Sequence, residues 1–360
     1  MATGFPVKNN YATGDVLTAA NMNDLSGTLN YLQYAKTSNG VLNSNFSVWQ
    51  RGTSFALANT SSNYTADRWL GVSATTGTIS RQATSDTTNL PNIQYCARAQ
   101  RTNGQTGTSA IGLYQLFESV NAIPLAGKAV TLSFYARAGA NYSSASNALA
   151  ANLYTGTGTD QNPFVSYTGS TNPLGGTATL TTTWQRFTFT GTLAATATEL
   201  YLSFTYTPSG TAGAADYFEI TGVQLELGSV ANTYMPNQPT YQGELAACRR
   251  YLPAFGGPNY ETLLGVANST TGCTFQVNFD VEARVQPTGI TVSNGAADFR
   301  IYNAAGASGL TSAVAFSAGG KHTGQITTTT TAGSPTLTVG QAMQLLILNS
   351  GYILFTGCEL

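Results

Sequence analysis

The chain has 360 residues, of which 9% are charged and 42% are hydrophobic, and its formal net charge is −1. With 19 Tyr and 16 Phe it has enough apolar material for packed cores, so a disordered chain is excluded. The near-neutral charge and the absence of a Lys or Arg run argue against a nucleic-acid partner or an acidic membrane surface, and no apolar run is long enough for membrane insertion.

Residues 1–40 are predicted to form an extended segment followed by a short helix. Positions 1–14 are rich in Gly, Pro and Asn, which favour extended chain. We expect no signal peptide, because no apolar run is present there. Thr18 can cap a helix that ends near Ala35. A helix this short is marginal alone, so its apolar residues must pack against its own domain, a socket on a larger particle, or further copies of the chain. These residues are Met22, Leu25, Leu29 and Leu32.

Residues 41–240 are predicted to form one jelly-roll β-sandwich. Short segments with alternating apolar and polar residues are separated by turns rich in Gly, Asn, Ser and Thr, a pattern typical of antiparallel sandwiches. The clearest predicted strands are 130–137, 184–191, 200–206 and 217–228.

Residues 241–252 are predicted to be a linker helix, and residues 253–360 a second, smaller β-sandwich. The clearest strands there are 274–283, 299–303, 342–349 and 351–360, and the Thr-rich stretch 327–335 is predicted to be a loop. Several of these strands are nearly continuously apolar. They offer more apolar surface than a small sandwich hides, so we expect self-association, most simply as a homotrimer.

Two of the three Trp lie close together near the start of the first sandwich. An Arg beside a Trp can engage a sugar ring, but such pairs are more often structural, with the Arg held by a carboxylate and the Trp in the core. We therefore predict a structural core motif, with Asp67 and Arg68 in ion pairs to neighbouring strands. Its members are Trp49, Arg51, Asp67, Arg68 and Trp69.

These motifs resemble those of tail-fibre and other virion appendage proteins of tailed bacteriophages. The matching stretches are F-x-x-W-Q-R-G from Phe46, A-D-R-W from Ala66, V-Q-L-E-x-G from Val223 and C-x-R-Y from Cys248. The resemblance covers roughly residues 43–251. It implies a virion protein that is assembled in the host cytoplasm and attached to the particle through residues 1–40.

The order of the predicted strands also resembles the carbohydrate-binding-module-like jelly rolls of phage fibres and glycosidases. That resemblance implies glycan binding. Where those modules often carry Asp-Asp in the closing strand to hold a structural calcium, this chain has Thr221-Gly222. Because a hard cation needs carboxylate or carbonyl oxygens, we expect no calcium.

No motif for catalysis, a cofactor or a metal is recognisable. His322 is the only histidine, so no Ser-His-Asp arrangement can be proposed on the jelly roll, and no carboxylate pair is placed by a motif. The four cysteines are scattered, and we expect them to be buried and reduced.

Ligand-binding candidates are therefore taken from Tyr-rich loops and from the second β unit. Tyr and Asn supply stacking faces and hydrogen bonds that suit neutral sugars, although such loops can also be plain surface turns and a loop His is usually just solvated. If the chain is anchored at its N-terminus, the C-terminal unit is the tip that meets the host; otherwise the jelly-roll loops hold the receptor site. The candidates are Tyr142, Tyr154, Tyr167, Tyr302 and His322.

The function we expect is a non-enzymatic tail fibre or appendage that binds a host surface glycan or protein. Two alternatives stay open. One is a tailspike depolymerase that cleaves host polysaccharide, and the other is a head or tail decoration protein with no receptor role.

Overall fold

A computed structural model describes residues 39–58, 61–256, 261–293, 298–303, 306, 308–331, 334, 336–348 and 351–360. The predicted attachment segment and its helix lie outside these residues, apart from Asn39 and Gly40. The described chain is almost entirely β-structure, as the sequence predicts. Among the described residues, no helix has the length and apolar character needed to cross a membrane.

Twelve strands form a sandwich of two six-stranded antiparallel sheets. The strands are β1 (Ser54–Leu57), β2 (Ser61–Tyr64), β3 (Leu70–Ser73), β4 (Gly77–Ala83), β5 (Tyr95–Arg101), β6 (Ile111–Phe117), β7 (Ala129–Ala138), β8 (Ala148–Gly156), β9 (Thr171–Thr179), β10 (Gln185–Thr192), β11 (Glu199–Tyr206) and β12 (Tyr217–Leu227). Sheet 1 has the order β1-β4-β5-β12-β7-β10, and sheet 2 has the order β2-β3-β6-β11-β8-β9. Short helical turns lie at α1 (Ser119–Ala122), Ile123–Leu125 and Ala145–Asn147.

The core between the two sheets follows from the alternation of side chains along each strand. Phe134 on β7 and Phe204 on β11 come from opposite sheets, and their ring centroids lie 4.9 Å apart. Trp69 packs against Phe204 from the loop before β3. All three side chains are fully buried, so the aromatic residues of the opening motif and of the central strands form one continuous core.

The predicted closing strand, β12, lies in the middle of sheet 1, where it pairs with β5 and with β7. Its register shifts between Thr221 and Gln224. Gly222 makes this irregularity possible, because its φ of 56° disfavours any side chain and an added Cβ would lie 2.9 Å from Tyr135. The Thr-Gly pair that stands in place of Asp-Asp therefore has a backbone role.

The C-terminal part differs from the predicted second sandwich. Six strands close into an antiparallel barrel of order β14-β15-β19-β18-β17-β20, and the other three form the sheet β13-β21-β16. Closure occurs because β20 pairs with both β14 and β17, a long-range choice that alternation alone does not specify. The strands are β13 (Ala254–Gly256), β14 (Glu261–Ala267), β15 (Gly272–Asn278), β16 (Gly289–Val292), β17 (Phe299–Asn303), β18 (Ser308–Gly319), β19 (Thr323–Thr330), β20 (Ala342–Ile347) and β21 (Tyr352–Thr356).

The predicted loop 327–335 is partly wrong, because Thr327 to Thr330 continue β19. Threonine is β-branched and fits a half-exposed strand, so a Thr run can be read as either strand or loop. Cys96, Cys248, Cys273 and Cys358 are all buried free thiols, as expected.

The predicted linker helix is α2 (Tyr241–Arg249), and it packs against the jelly roll. Thr240 caps it, since its hydroxyl accepts a hydrogen bond from Gly243 N at 3.1 Å. Just beyond the helix, Arg250 donates two hydrogen bonds to Glu118 of the jelly roll, at 3.0 and 2.9 Å.

Candidate functional site

The opening motif is built into the protein interior. Trp69 is fully buried and donates from Nε1 to Asn43 O at 3.0 Å, and Trp49 donates to Phe46 O at 2.7 Å. Neither indole offers an open face of the kind a sugar platform needs.

Arg68 is the buried centre of this motif. Its side chain is 1% exposed, its guanidinium lies 3.5 Å from the centroid of the Tyr251 ring, and it donates to Leu116 O at 2.6 Å. Its backbone φ of 69° lies in the left-handed region, which costs about 1–3 kcal/mol and persists only where the surroundings impose it. The contacts of Arg68 are therefore structural.

The carboxylate that holds Arg68 is Glu359, near the C-terminus. Arg51 also donates to Glu359, at 3.0 Å. Asp67 differs from the prediction, because it makes no ion pair with the described residues and instead accepts two hydrogen bonds from Gln50, each at 2.7 Å. Burial raises the pKa of Asp67, which is consistent with a carboxylate that is held by an amide rather than by a close cation.

Three of the five predicted ligand residues do not come together. Tyr142 is 8% exposed, packs 4.8 Å from the Tyr206 ring and donates to Ala148 O, so it belongs to the core. Tyr302 lies on β17 of the barrel, and His322 is an exposed residue just before β19. Tyr302 and His322 are thus on a different part of the molecule from the other candidates.

The remaining two, Tyr154 and Tyr167, join a cluster on the outer face of sheet 2. Tyr154 and Tyr201 lie directly opposite each other on β8 and β11, with nearly parallel rings 4.7 Å apart. Tyr167 meets Tyr201 edge-on at 5.0 Å, and Tyr114 lies 6.4 Å from Tyr201. Phe164 meets Tyr114 edge-on at 5.0 Å. We call these five residues the aromatic strip.

Strand alternation places the strip outside the sandwich. Leu113, Leu153 and Leu200 each precede a Tyr of the strip and are fully or almost fully buried in the core. The next side chain along each strand must then point to the outer face. Tyr114, Tyr201 and Tyr154 therefore line up across the adjacent strands β6, β11 and β8.

The loop that carries Phe164 and Tyr167 is held in place by buried groups. Glu199 is 1% exposed, and its two carboxylate oxygens accept from Gly158 N at 3.2 Å and Gln161 N at 2.9 Å. This fixes the start of the loop, so Phe164 stands beside the sheet while remaining 40% exposed. A rigid loop with an exposed ring is a suitable wall for a ligand site.

A groove of about 370 Å³ lies beside the strip, with Tyr114 and Phe164 as its aromatic wall. Val72, Gly112 and Thr205 line it as well, and its described lining residues carry no charge. Gly112 is required there, because an added Cβ would lie 2.3 Å from Phe204 O. We call this site the strip groove.

The hydroxyls of Tyr114 and Tyr201 remain protonated at neutral pH. Burial raises the pKa of Tyr114 and of Tyr201 to about 12, and the neighbouring Tyr hydroxyls add to the shift. A protonated phenol both donates and accepts hydrogen bonds, as a sugar hydroxyl does. The strip can therefore offer flat apolar faces together with neutral hydrogen-bonding groups.

Sequence reasoning found Tyr154 and Tyr167 but missed Tyr114 and Tyr201, and it did not single out Phe164. Both missed tyrosines sit inside strands, at polar-face positions of the alternation. An aromatic residue on the outward side of a strand is the signal that would have found them. Recognising the cluster also requires the strand order, because only the pairing of strands shows that three such residues are neighbours.

No family model matches the chain, and no curated protein matches it. A carbohydrate-binding module of family 4 is similar over 37% of this chain and 71% of its own, at 24% identity and a TM-score of 0.27. A sugar binding protein from Bacteroides thetaiotaomicron covers 53% of this chain and 100% of its own, at 13% identity and a TM-score of 0.33. The enzymatically active domain of tailspike protein 4 from bacteriophage CBA120 is similar over 53% of this chain and 22% of its own, at 14% identity and a TM-score of 0.31. The architecture is defined by its own strand order rather than by these distant neighbours.

Proposed function

We propose that this protein is a non-enzymatic receptor-binding component of a phage virion, and that its jelly roll binds a neutral glycan of the host surface. The observation that carries the binding role is the aromatic strip beside an uncharged groove. Sugar rings present apolar C–H faces and a rim of hydroxyls. The strip offers a matching set of aromatic faces and neutral donors and acceptors.

Binding without cleavage is supported by the composition of the strip groove. Most glycoside hydrolases use two carboxyl groups that flank the scissile bond. The described residues that line the groove include no Asp or Glu. Glu199 lies behind the loop, where both of its oxygens accept backbone hydrogen bonds. The rival proposal, a depolymerase, would need a carboxylate pair elsewhere on the chain.

The virion role rests on the sequence motifs of residues 43–251 and remains a proposal. In the proposed virion, residues 1–40 attach to other virion proteins, three copies of the chain associate, and the β domains project towards the host. Trimerisation would give several weak glycan sites a common surface and so increase avidity. A decoration protein with no receptor role is the second rival.

The test of glycan binding compares two neighbouring residues of one loop. Phe164→Ala removes the exposed wall of the strip groove, whereas Val165→Ala changes a side chain that is 86% exposed and does not line it. A glycan array first identifies a ligand for the purified chain, and calorimetry then measures the affinity of each variant. We expect Phe164→Ala to weaken binding roughly tenfold, for a lost aromatic contact of about 1–1.5 kcal/mol, and Val165→Ala to leave it unchanged.

Other outcomes separate the rivals. Release of reducing ends from the bound glycan would support a depolymerase. A chain that binds no glycan on the array but is still incorporated into particles would support decoration. If Phe164→Ala and Val165→Ala weaken glycan binding equally, the loop contributes to binding but the strip groove is not the binding site.

A further inference from the structure

A second concave site lies at the other end of the sandwich from the strip groove. Its volume is about 340 Å³, and its walls come from residues 45–47, 92–95 and 236–241 and from Glu244. β5 begins here at Tyr95 and ends at Arg101, close to the start of β6, where the strip groove lies. A strand of this length spans roughly 20 Å, and the two sites share no described lining residue. We call this second site the end pocket.

The walls of the end pocket carry neutral polar groups that are free to bind. Within the described part of the chain, the side-chain amides of Asn92 and Gln94 and the hydroxyl of Ser47 have no hydrogen-bond partner. Tyr95 and Tyr241 add two aromatic rings, and Tyr241 is 55% exposed. Amides, a hydroxyl and tyrosines in one concave site can contact both the hydroxyls and the apolar faces of a sugar.

The walls are fixed in position by Glu244. This carboxylate is 3% exposed and accepts from Asn43 N at 2.5 Å and from Gln238 N at 3.2 Å, so it joins the first wall to the third. Burial raises the pKa of Glu244. Glu244 lines the end pocket, and because each of its oxygens accepts a backbone hydrogen bond, it acts as a positioning residue.

We propose that the end pocket is a second binding site, for a neutral, hydroxyl-rich ligand of one or two sugar units. The volume lies at the low end of the range for small-molecule sites, about 300–1,000 Å³. The described residues that line the end pocket include no Lys or Arg and one acidic side chain, Glu244, so the lining favours a neutral ligand over an anion. The end pocket is independent of the strip groove, and two sites on one sandwich would increase avidity for a repeating glycan.

The test uses the Phe164→Ala background, in which binding at the strip groove is expected to be about tenfold weaker. The probes are free glucose, galactose and N-acetylglucosamine, and binding is titrated by saturation-transfer NMR. Phe164→Ala is compared with the double variant Phe164→Ala/Tyr241→Ala. Tyr241 is the first residue of α2, so alanine there preserves the helix. Phe164→Ala/Val230→Ala is the matched control, because Val230 is 67% exposed and does not line the end pocket.

We expect at least one probe to bind the Phe164→Ala chain and the control equally. Tyr241→Ala in that background should raise Kd roughly fivefold, for the loss of about 1 kcal/mol of ring contact. Asn92→Ala in the same background should weaken binding in the same direction. Unchanged binding after Tyr241→Ala overturns the end pocket. Loss of all binding on Phe164→Ala alone also overturns it, but upholds the strip groove. Failure of every probe to bind the unaltered chain rejects the end pocket, while the glycan array still decides the strip groove.

Discussion

The jelly roll and the C-terminal barrel place their charged residues differently. In the jelly roll, Arg101 and Asp216 form an ion pair 2.8 Å long with both side chains fully buried. Glu219, also fully buried, accepts from both Arg98 and Arg137. Among the described barrel residues, the pairs formed by Asp280 and by Glu282 lie at the surface. These ion pairs with a fully buried carboxylate lie in the sandwich, whereas the C-terminal part buries Asp298, whose carboxylate accepts a hydrogen bond from the Ser293 hydroxyl.

The two regions also treat their sheet edges differently. The sandwich leaves β9 as an edge of sheet 2, and Pro173 within β9 limits pairing with another chain. The barrel has no edge, because β20 closes it. An open sandwich keeps faces and loops available for ligands, and buried polar networks hold those loops in place. The barrel instead resembles a closed scaffold, with Leu264 69% exposed on its outside.

The largest expected effect compares one core phenylalanine from each region. Phe204 of the sandwich packs against the rings of Phe134 and Trp69, whereas Phe275 of the barrel core makes no close aromatic pair with the described residues. Phe204→Ala and Phe275→Ala should each lower the free energy of unfolding by about 3–5 kcal/mol, with Phe204→Ala at the upper end because ring pairs are lost as well.

Urea denaturation of both variants measures this difference, with Phe164→Ala as a surface control that should change stability by less than about 1 kcal/mol. A Phe275→Ala variant that is as unstable as Phe204→Ala, or less stable, would remove the energetic contrast between the two cores.

The next effect concerns the contact that joins the two regions. Arg68→Met removes one partner of Glu359, and because Arg51 still pairs with that carboxylate, we expect a loss near the lower end for buried ion pairs, about 3 kcal/mol. Arg249→Met is the control. Its partner Asp280 is 74% exposed, so the loss should stay below about 1 kcal/mol.

Urea denaturation, monitored by tryptophan fluorescence, distinguishes Arg68→Met from Arg249→Met. All three Trp lie in the sandwich region, so fluorescence reports that region directly. Equal, small losses for Arg68→Met and Arg249→Met would mean that the link between the regions contributes little to stability.

Much of the fold could be predicted from alternation along the chain. The predicted strands 130–137 and 200–206 differ from β7 and β11 by at most one residue at either end. The barrel could not be predicted, because closure depends on β20 pairing with β14 and β17, which are far apart in sequence. Alternation shows which face of a strand is apolar and is silent about its neighbours.

The candidate site was only partly predictable, for a related reason. Tyr154 was chosen as part of a Tyr-rich loop, but it lies within β8. Its stacking partner Tyr201 lies in mid-strand, and only the register of β8 and β11 brings the two together. Tyr142 was chosen on the same loop argument and is buried, because its ring packs on Tyr206. The partner of Arg68 was missed because Glu359 is 291 residues away in the sequence.

The smallest expected effect concerns the half-exposed contact between Arg250, just after α2, and Glu118 of the jelly roll. The pH dependence of stability tests it. Burial alone would raise the pKa of Glu118, but hydrogen bonds from Arg250 and Tyr251 outweigh it and lower the pKa below the ordinary value of 4.5. The stabilisation is therefore complete above that value and is lost as the pH falls through the folded pKa. Because the Arg250 side chain is 37% exposed, we expect Arg250→Ala to cost only about 1 kcal/mol at pH 7.

This difference between the unaltered chain and Arg250→Ala should shrink in urea denaturation at acidic pH, where Glu118 becomes protonated in both. Lys321→Ala serves as the control. Its pair with Glu282 is exposed and 3.8 Å long, so the free energy of unfolding should change by no more than a few tenths of a kcal/mol at either pH. If the cost of Arg250→Ala is the same at neutral and acidic pH, Arg250 stabilises α2 by packing, and the charge of Glu118 contributes nothing to holding the helix on the sandwich.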